Sequence, residues 1–476
     1  MAVLSSDLIR QGAAGASTGY TIDQSIRFNA AATAYMHRTP SSTGNRKKFT
    51  SSFWVKLGNV QVNTALPTPQ VTHGVGSSGL ALTTDGTLTA YTYYSGSWSG
   101  FLKTRRSFRD PSAWYHFVYV VDSTQSTTGE RIRIYVNGER ESSFSTESYL
   151  AQNQDTDWNL SGEKMWIGRD GGGSGYDGDY YAADIYWLDG YAYGPEYFGE
   201  FNENGIWIPK EYDGSYGTNG FFIDGRDASD LGDDESGNGN DFTTVSFGTD
   251  DKVLDTPTNN KITFNPLNNQ QSGGTVSNGN MDYKGPGTRT MIGTTGGPFP
   301  TSGKWAIAFK AGQVGTDAGW SYGLQKADDA DMGDAAGSNE DIGAGTGGAN
   351  FSPFSTDGYA YNYSTSTATD PSLPLEADDE FWLAVDIGTG KYWFGIYDAS
   401  ASGYKWVAAD AGLDGDPGAG SNETGSLTGL QNNTGNFEFI FSSKQTNQNI
   451  YLQREADLAG AVPTGFTYWE NVKDLI

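Results

Sequence analysis

The chain has no cysteine, only three histidines, and 30 Lys plus Arg against 57 Asp plus Glu, a formal net charge of −27. Without cysteine there are no disulfides, zinc–thiolate sites or thiol nucleophiles, so life outside a cell would rest on a robust β core without covalent staples. The histidines, His37, His73 and His116, show no His-x-x-x-His spacing, and no Gly-x-Ser-x-Gly elbow is present. The glycine runs at Gly171 and from Gly343 to Gly348 lack the Lys-Ser/Thr that cradles phosphate. Excess negative charge repels nucleic acid and anionic lipid, which excludes DNA as a partner. No apolar run approaches the roughly 18–20 residues of a membrane-spanning helix, and Met1 to Arg10 lacks the basic start and apolar core of a secretory leader. Neither membrane insertion nor Sec-type export is expected. Heptads and repeats of about 20–50 residues are also missing, which excludes a fibre shaft.

What the chain has is glycine and aromatic rings. It is 476 residues long, enough for two or three domains, with 65 Gly and 14% aromatics within a hydrophobic content of 36%. Aromatic segments separated by glycine turns favour short strands over helices. Trp114-Tyr-His-Phe-Val-Tyr-Val-Val-Asp122 and Arg131-Ile-Arg-Ile-Tyr-Val136 read as two alternating strands, with Asn137-Gly138 supplying the next reversal. Met165-Trp-Ile-Gly-Arg169 and Ala183-Asp-Ile-Tyr-Trp-Leu-Asp189 add two more. Phe49-Thr-Ser-Ser-Phe-Trp-Val-Lys56 alternates as a half-buried strand, and Asp85-Gly86 turns a hairpin between Leu80 and Tyr94. Pro195 to Phe201 reads as a short helix begun at proline.

This order of aromatic strands resembles laminin-G and pentraxin-like domains, the concanavalin A-like jelly roll. The resemblance covers residues 21–201 and implies a fold that holds a sugar or another surface ligand on its loops. Residues 1–20 form a short tail or anchor, and 202–260 a Gly/Asp-rich connector ending at Asp255-Thr-Pro-Thr-Asn-Asn260. From 261 to 476, Ser302-Gly-Lys-Trp-Ala-Ile-Ala-Phe309, Asp379-Glu-Phe-Trp-Leu-Ala-Val385 and Gly390-Lys-Tyr-Trp-Phe394 resemble a SPRY-type β-sandwich, with several motif positions changed. The expected architecture is all-β: two antiparallel β-sandwich domains, a connector and an N-terminal tail. The lead Leu8-Ile-Arg-Gln-Gly-Ala-Ala-Gly-Ala16, the Ser236-Gly-Asn-Gly-Asn240 loop and the Asp255-x-Pro-Thr-Asn break resemble virion proteins of marine tailed phages.

Hydrolysis of a glycan needs two carboxylates about 5–9 Å apart. The nearest candidates, Asp184 and Asp189, are five positions apart on one strand and face opposite sides, so no catalytic site is expected. His116 reads as a core or strand-surface residue. Ca²⁺ is the one cofactor the acidic loops would accept. Asp234, Ser236 and Asn238 match the first half of an EF-hand loop, but position twelve is Val245; Asp329, Asp331 and Glu340 have the opposite defect. Asp170, Asp177 and Asp179 bracket a glycine-rich loop where laminin-G-like domains hold Ca²⁺. Each set reads more readily as a solvated loop. For a sugar ring, Tyr93, Tyr94, Trp98 and Phe101 cluster in one Ser/Gly-rich stretch, and Trp158, Tyr176, Tyr180 and Tyr181 near the acidic rim. Packing or subunit contact would use the same residues.

Three readings follow. The first is a non-enzymatic structural protein of a tailed-phage particle, a tail fibre or receptor-binding protein whose N-terminal region docks on other virion proteins and whose loops contact host surface polysaccharide. The second is a capsid decoration or head fibre. The third is a secreted glycan-binding or glycan-degrading protein. A homo-oligomer is expected, with a trimer the form a fibre would take, although no coiled coil specifies one.

Overall fold

Alternating apolar and polar side chains become strands wherever one face can be buried, and here nearly every aromatic segment does so. The computed structural model is all-β and describes residues 19–58, 71–75, 78–83, 85–94, 97–169, 178–248, 251–270, 274–286, 290–295, 299–312, 320–326, 349–352, 359–362, 367–369, 377–410, 412–427, 429–434, 436–443 and 446–470. The chain divides into two units, 1–260 and 261–476. Of the N-terminal lead, residues 1–18 lie outside the described residues.

In the first unit, one sheet runs in spatial order Glu139–Arg140, Ile132–Val136, Trp114–Asp122, Lys48–Leu57, Tyr180–Asp189, Ser25–Phe28 and Lys252–Val253, with Phe221–Ile223 also paired to Tyr180–Asp189. The other runs Phe144–Ser148, Ser97–Ser107, Thr87–Tyr94, Ser78–Leu82, Val71–Val75, Met165–Ile167, Tyr35–Arg38 and Thr243–Val245. Their facing sides form one core: Phe28, Phe53, Phe117 and Val121 from the first meet Leu82, Leu88, Leu102 and Ile167 from the second. Asn137 (φ 50°) and Gly138 (φ 81°) make the left-handed pair that a tight hairpin requires.

Two expectations are corrected here. Residues 202–260 are not a free connector. Thr243–Val245 pairs with Tyr35–Arg38, and Lys252–Val253 with Ser25–Phe28, covering strands that would otherwise leave unpaired backbone at a sheet edge. Pro195 starts only a 3-10 turn, Pro195–Tyr197, which gives way to a hairpin of Gly199–Phe201 and Trp207–Pro209.

The second unit is also a sandwich. Among the described residues, its nine-stranded sheet places Lys304–Ala311, Glu380–Asp386 and Lys391–Asp398 side by side, so the three segments carrying the SPRY resemblance are neighbours in space. Facing it is a seven-stranded sheet that includes Trp320–Lys326 and Phe437–Ser443. Phe309 stacks on Phe439 across the gap at 4.4 Å, and the Tyr322 hydroxyl reaches the carbonyls of Trp382 and Gly395 at 3.2 and 3.1 Å. Asp329, Asp331 and Glu340 lie outside the described residues.

Candidate functional site

The hairpin of Thr87–Tyr94 and Ser97–Ser107 carries Trp98, the most exposed aromatic side chain among the described residues. Leu88, Ala90 and Leu102 point into the core, so Tyr91 and its cross-strand partner Phe101 point outward. By strict alternation Trp98 would share the inward side with Leu102. The register prevents this: Thr92 faces Gly100, but Tyr93 faces Trp98, leaving Ser99 as an extra residue. Such a bulge flips the alternation and moves Trp98 to the outer face. There its indole is 59% exposed and stands nearly perpendicular to Tyr93 at 5.3 Å, Tyr91 at 5.5 Å and Phe101 at 6.4 Å. Three rings at its edges hold the indole upright. The backbone beneath is secured by Ser78, whose hydroxyl accepts from Tyr93 N–H at 2.8 Å. A Cβ at Gly79 would lie 2.6 Å from the Tyr91 hydroxyl, so a larger residue there would displace that ring.

A second aromatic feature lies on the outer face of the first sheet. His116, opposite Trp54 in the ladder, stacks on it at 4.7 Å and on Trp207 at 5.9 Å. Its Nδ1 accepts the Trp207 indole N–H at 3.0 Å, which leaves Nε2–H to donate to Ser52 Oγ at 2.8 Å. Burial pushes the imidazole down to about 3, so it is uncharged. Beside it opens a cleft of about 480 Å³ lined by Trp54, Trp114, Phe201, Trp207, Asn137 and Glu139.

Several expected site residues have other roles. Trp158 is not a rim aromatic: it is 0% exposed and stacks on Trp187 at 5.1 Å inside the core. Tyr180, 1% exposed, stacks on Phe28 at 4.8 Å. Both are pulled inward because a sandwich of this size needs large rings to fill its end. Tyr93 belongs to the Trp98 group, but Tyr94 points elsewhere, under the Arg46 guanidinium at 5.4 Å. Tyr176, Asp170 and Asp177 lie outside the described residues. Asp179 is half-buried against Gly58, and burial raises its carboxyl to about 6 despite nearby Arg27.

The EF-hand-like loop is also corrected. Asp234 spends its carboxylate on four protein donors: Phe222 N–H and Ser236 N–H on Oδ1, Ser236 Oγ and Asn240 N–H on Oδ2, at 2.8–3.0 Å. Asn238 directs its amide N–H to the carbonyls of Gly217 and Gly220. Asp234, Ser236 and Asn238 thus knit a loop rather than converge on a cation, and among the described residues no group of three His, Asp or Glu is placed to hold a metal. The two acids on the strand Tyr180–Asp189 are similarly engaged. Asp184 (φ 46°) sits in a bulge, accepts the Tyr20 hydroxyl at 2.8 Å, and is raised by burial to about 7. Asp189 accepts Asn45 N–H, Asn219 N–H and the Asn159 amide.

Tyr91 was legible as a partner of Tyr93 by two-residue spacing. The Trp207 cleft had no signal in the chain, since its walls come from segments far apart in sequence.

The match to a protein-family model agrees with a concanavalin A-like fold in the first unit. Residues 30–186 match the family model Laminin_G_3, described as the concanavalin A-like lectin/glucanases superfamily. A search of curated proteins found no significant match. Similar solved structures include mouse laminin alpha1 domains LG4-5 (8% identity, 95% of each chain covered, TM-score 0.28). A SAP-like pentraxin from Limulus polyphemus matches at 15% identity over 36% of this chain and 78% of that one, TM-score 0.25. The SPRY domain of human HERC1 matches at 13% identity over 40% and 96%, TM-score 0.25. Residues 30–186, within the first unit, thus form a laminin G-like domain of concanavalin A-like fold.

Proposed function

We propose that the first unit is a non-enzymatic glycan-binding module, and that Trp98 is its platform. One observation carries this: a tryptophan 59% exposed on a sheet face and braced by three perpendicular rings. A rigid indole accepts the apolar C–H face of a pyranose at little entropic cost, and the neighbouring phenols of Tyr91 and Tyr93 supply hydroxyls for the sugar's own. Engagement of Asp184 and Asp189 by protein donors supports binding without hydrolysis. Titration of the full chain against a panel of polysaccharides tests the proposal. A ligand should bind and lose at least about tenfold in affinity, ~1.4 kcal/mol, on Trp98→Ala. Unchanged affinity in that variant would remove Trp98 from the site.

The finer reading is attachment to host surface glycans from the surface of a tailed-phage particle, docked through the N-terminal region. Its support is the likeness of Leu8–Ala16, Ser236–Asn240 and the Asp255 segment to virion proteins. Locating the protein on particles decides it: a few copies at the tail favour a receptor-binding fibre, many copies on the head a decoration protein, and absence from particles the secreted reading.

A further inference from the structure

The segment Asp255–Asn260, which in sequence reads only as a break, carries a cluster that binding does not use. Lys56, next to last in the strand Lys48–Leu57, is 0% exposed, and its two companions Asp255 and Asn260 are 2% and 1% exposed. Its Nζ lies 2.8 Å from Asp255 Oδ2 and 2.8 Å from Asn260 Oδ1. Both companions are oriented by further bonds. The Trp114 indole donates to Asp255 Oδ1 at 3.0 Å, and Asn260 Nδ2 donates to the Ser112 carbonyl at 2.7 Å. That second bond sets which end of the amide faces the lysine. Lys56 pairs in the ladder with Trp114 and Tyr181, members of a buried aromatic cluster with Trp54 and Ile22. An amine, an amide carbonyl and an acid–base group therefore share one site shielded from water.

We propose that Lys56 and Asn260 join spontaneously through an amide bond between Nζ and Cγ, with Asp255 as the proton carrier. The ammonium passes one proton to Asp255 along the 2.8 Å contact, leaving a neutral amine and a neutral acid, the pair that a dry site tolerates better than two charges. The amine attacks Cγ, which is one bond beyond the oxygen it already touches. As the tetrahedral centre collapses, the Cγ–Nδ2 bond breaks and Asp255 protonates the departing nitrogen, which leaves as ammonia. Of the two protons Lys56 gives up, one departs in that ammonia and the other ends on Asp255. No oxidant, metal or cofactor is required.

The bond would tie residues 204 positions apart, the strand Lys48–Leu57 to the end of the first unit. Closing so long a loop restricts the unfolded chain as a disulfide does, in a protein that has no cysteine to make one.

Mass spectrometry of the denatured full-length chain tests this directly. The wild type should be lighter than its sequence by one ammonia, and digestion should yield a branched peptide joining Lys56 to Asn260. Lys56→Arg and Asp255→Ala should both return the full sequence mass. A wild type at full mass with linear Lys56 and Asn260 peptides overturns the bond and leaves a buried ion pair. Loss of water with a Lys56–Asp255 link overturns the choice of Asn260, and loss of ammonia without a branched peptide places the change elsewhere.

Discussion

Trp207 donates its indole N–H to Nδ1 of His116 at 3.0 Å and lies nearly parallel to the imidazole, so the hairpin that carries Trp207 is pinned to a histidine that must stay neutral. Protonation would place two donors on the one bond and a charge in a dry site.

A pH dependence with two opposing signs follows. His116 falls from its ordinary 6.5 to about 3, so the unfolded chain binds the extra proton between those values, and this contribution to stability is lost as pH falls. Asp184 rises from 3.8 to about 7, so the folded chain binds the extra proton, and its contribution is lost as pH rises through that range; Asp179, raised to about 6, acts in the same sense. Between 3.8 and 6.5 the slopes oppose. Chemical unfolding at several pH values should show the first unit of Asp184→Asn growing more acid-sensitive, by up to about 1.4 kcal/mol per pH unit. His116→Asn should move the slope the other way. Identical profiles for both variants would contradict this account.

Trp98 and Trp158 should separate binding from stability. Trp158→Ala empties a core position and should cost about 3–5 kcal/mol in denaturant unfolding. Trp98→Ala, at an exposed site, should cost within about 0.5 kcal/mol while affecting ligand affinity. Equal destabilisation by the two would show that the outer patch is structural.

Asp234→Ala leaves four donors without their acceptor and should destabilise the first unit on the order of 3 kcal/mol. Because those donors belong to the protein, the loss should be the same with calcium and with chelator. A calcium-dependent difference confined to the wild type would restore this loop as a cation site.

Gly138→Ala should loosen the Trp207 hairpin. A Cβ there would lie 2.3 Å from the Trp207 ring, and φ of 81° strains any other residue. The expected result is increased exposure of Trp207, read as faster iodide quenching of fluorescence than in the wild type.

How much of this could be read without coordinates differs from residue to residue. Alternation exposed the strand Trp114–Asp122 and its partner Ile132–Val136, and Asn137-Gly138 marked the next reversal, into Glu139–Arg140, because period and turn chemistry are local properties. Trp158 and Tyr180 read as rim aromatics because a ring next to Gly and Asp resembles a loop residue; whether it swings into the core depends on what the facing sheet leaves unfilled. Trp98 reads as a loop ring from its Ser/Gly-rich neighbours, but it lies on a strand, and the extra residue Ser99 in the register turns it outward.

The amino-acid order determined the β class, the aromatic core and the acidic, cysteine-free surface, all of which follow from short-range periodicity and composition. Tertiary structure decided that residues 202–260 complete both sheets, that Asp234 bonds its own loop, and that Lys56 meets Asp255 and Asn260. Those outcomes depend on pairings across tens to hundreds of positions, where the register of distant strands, and no local pattern, sets which side chains share a site.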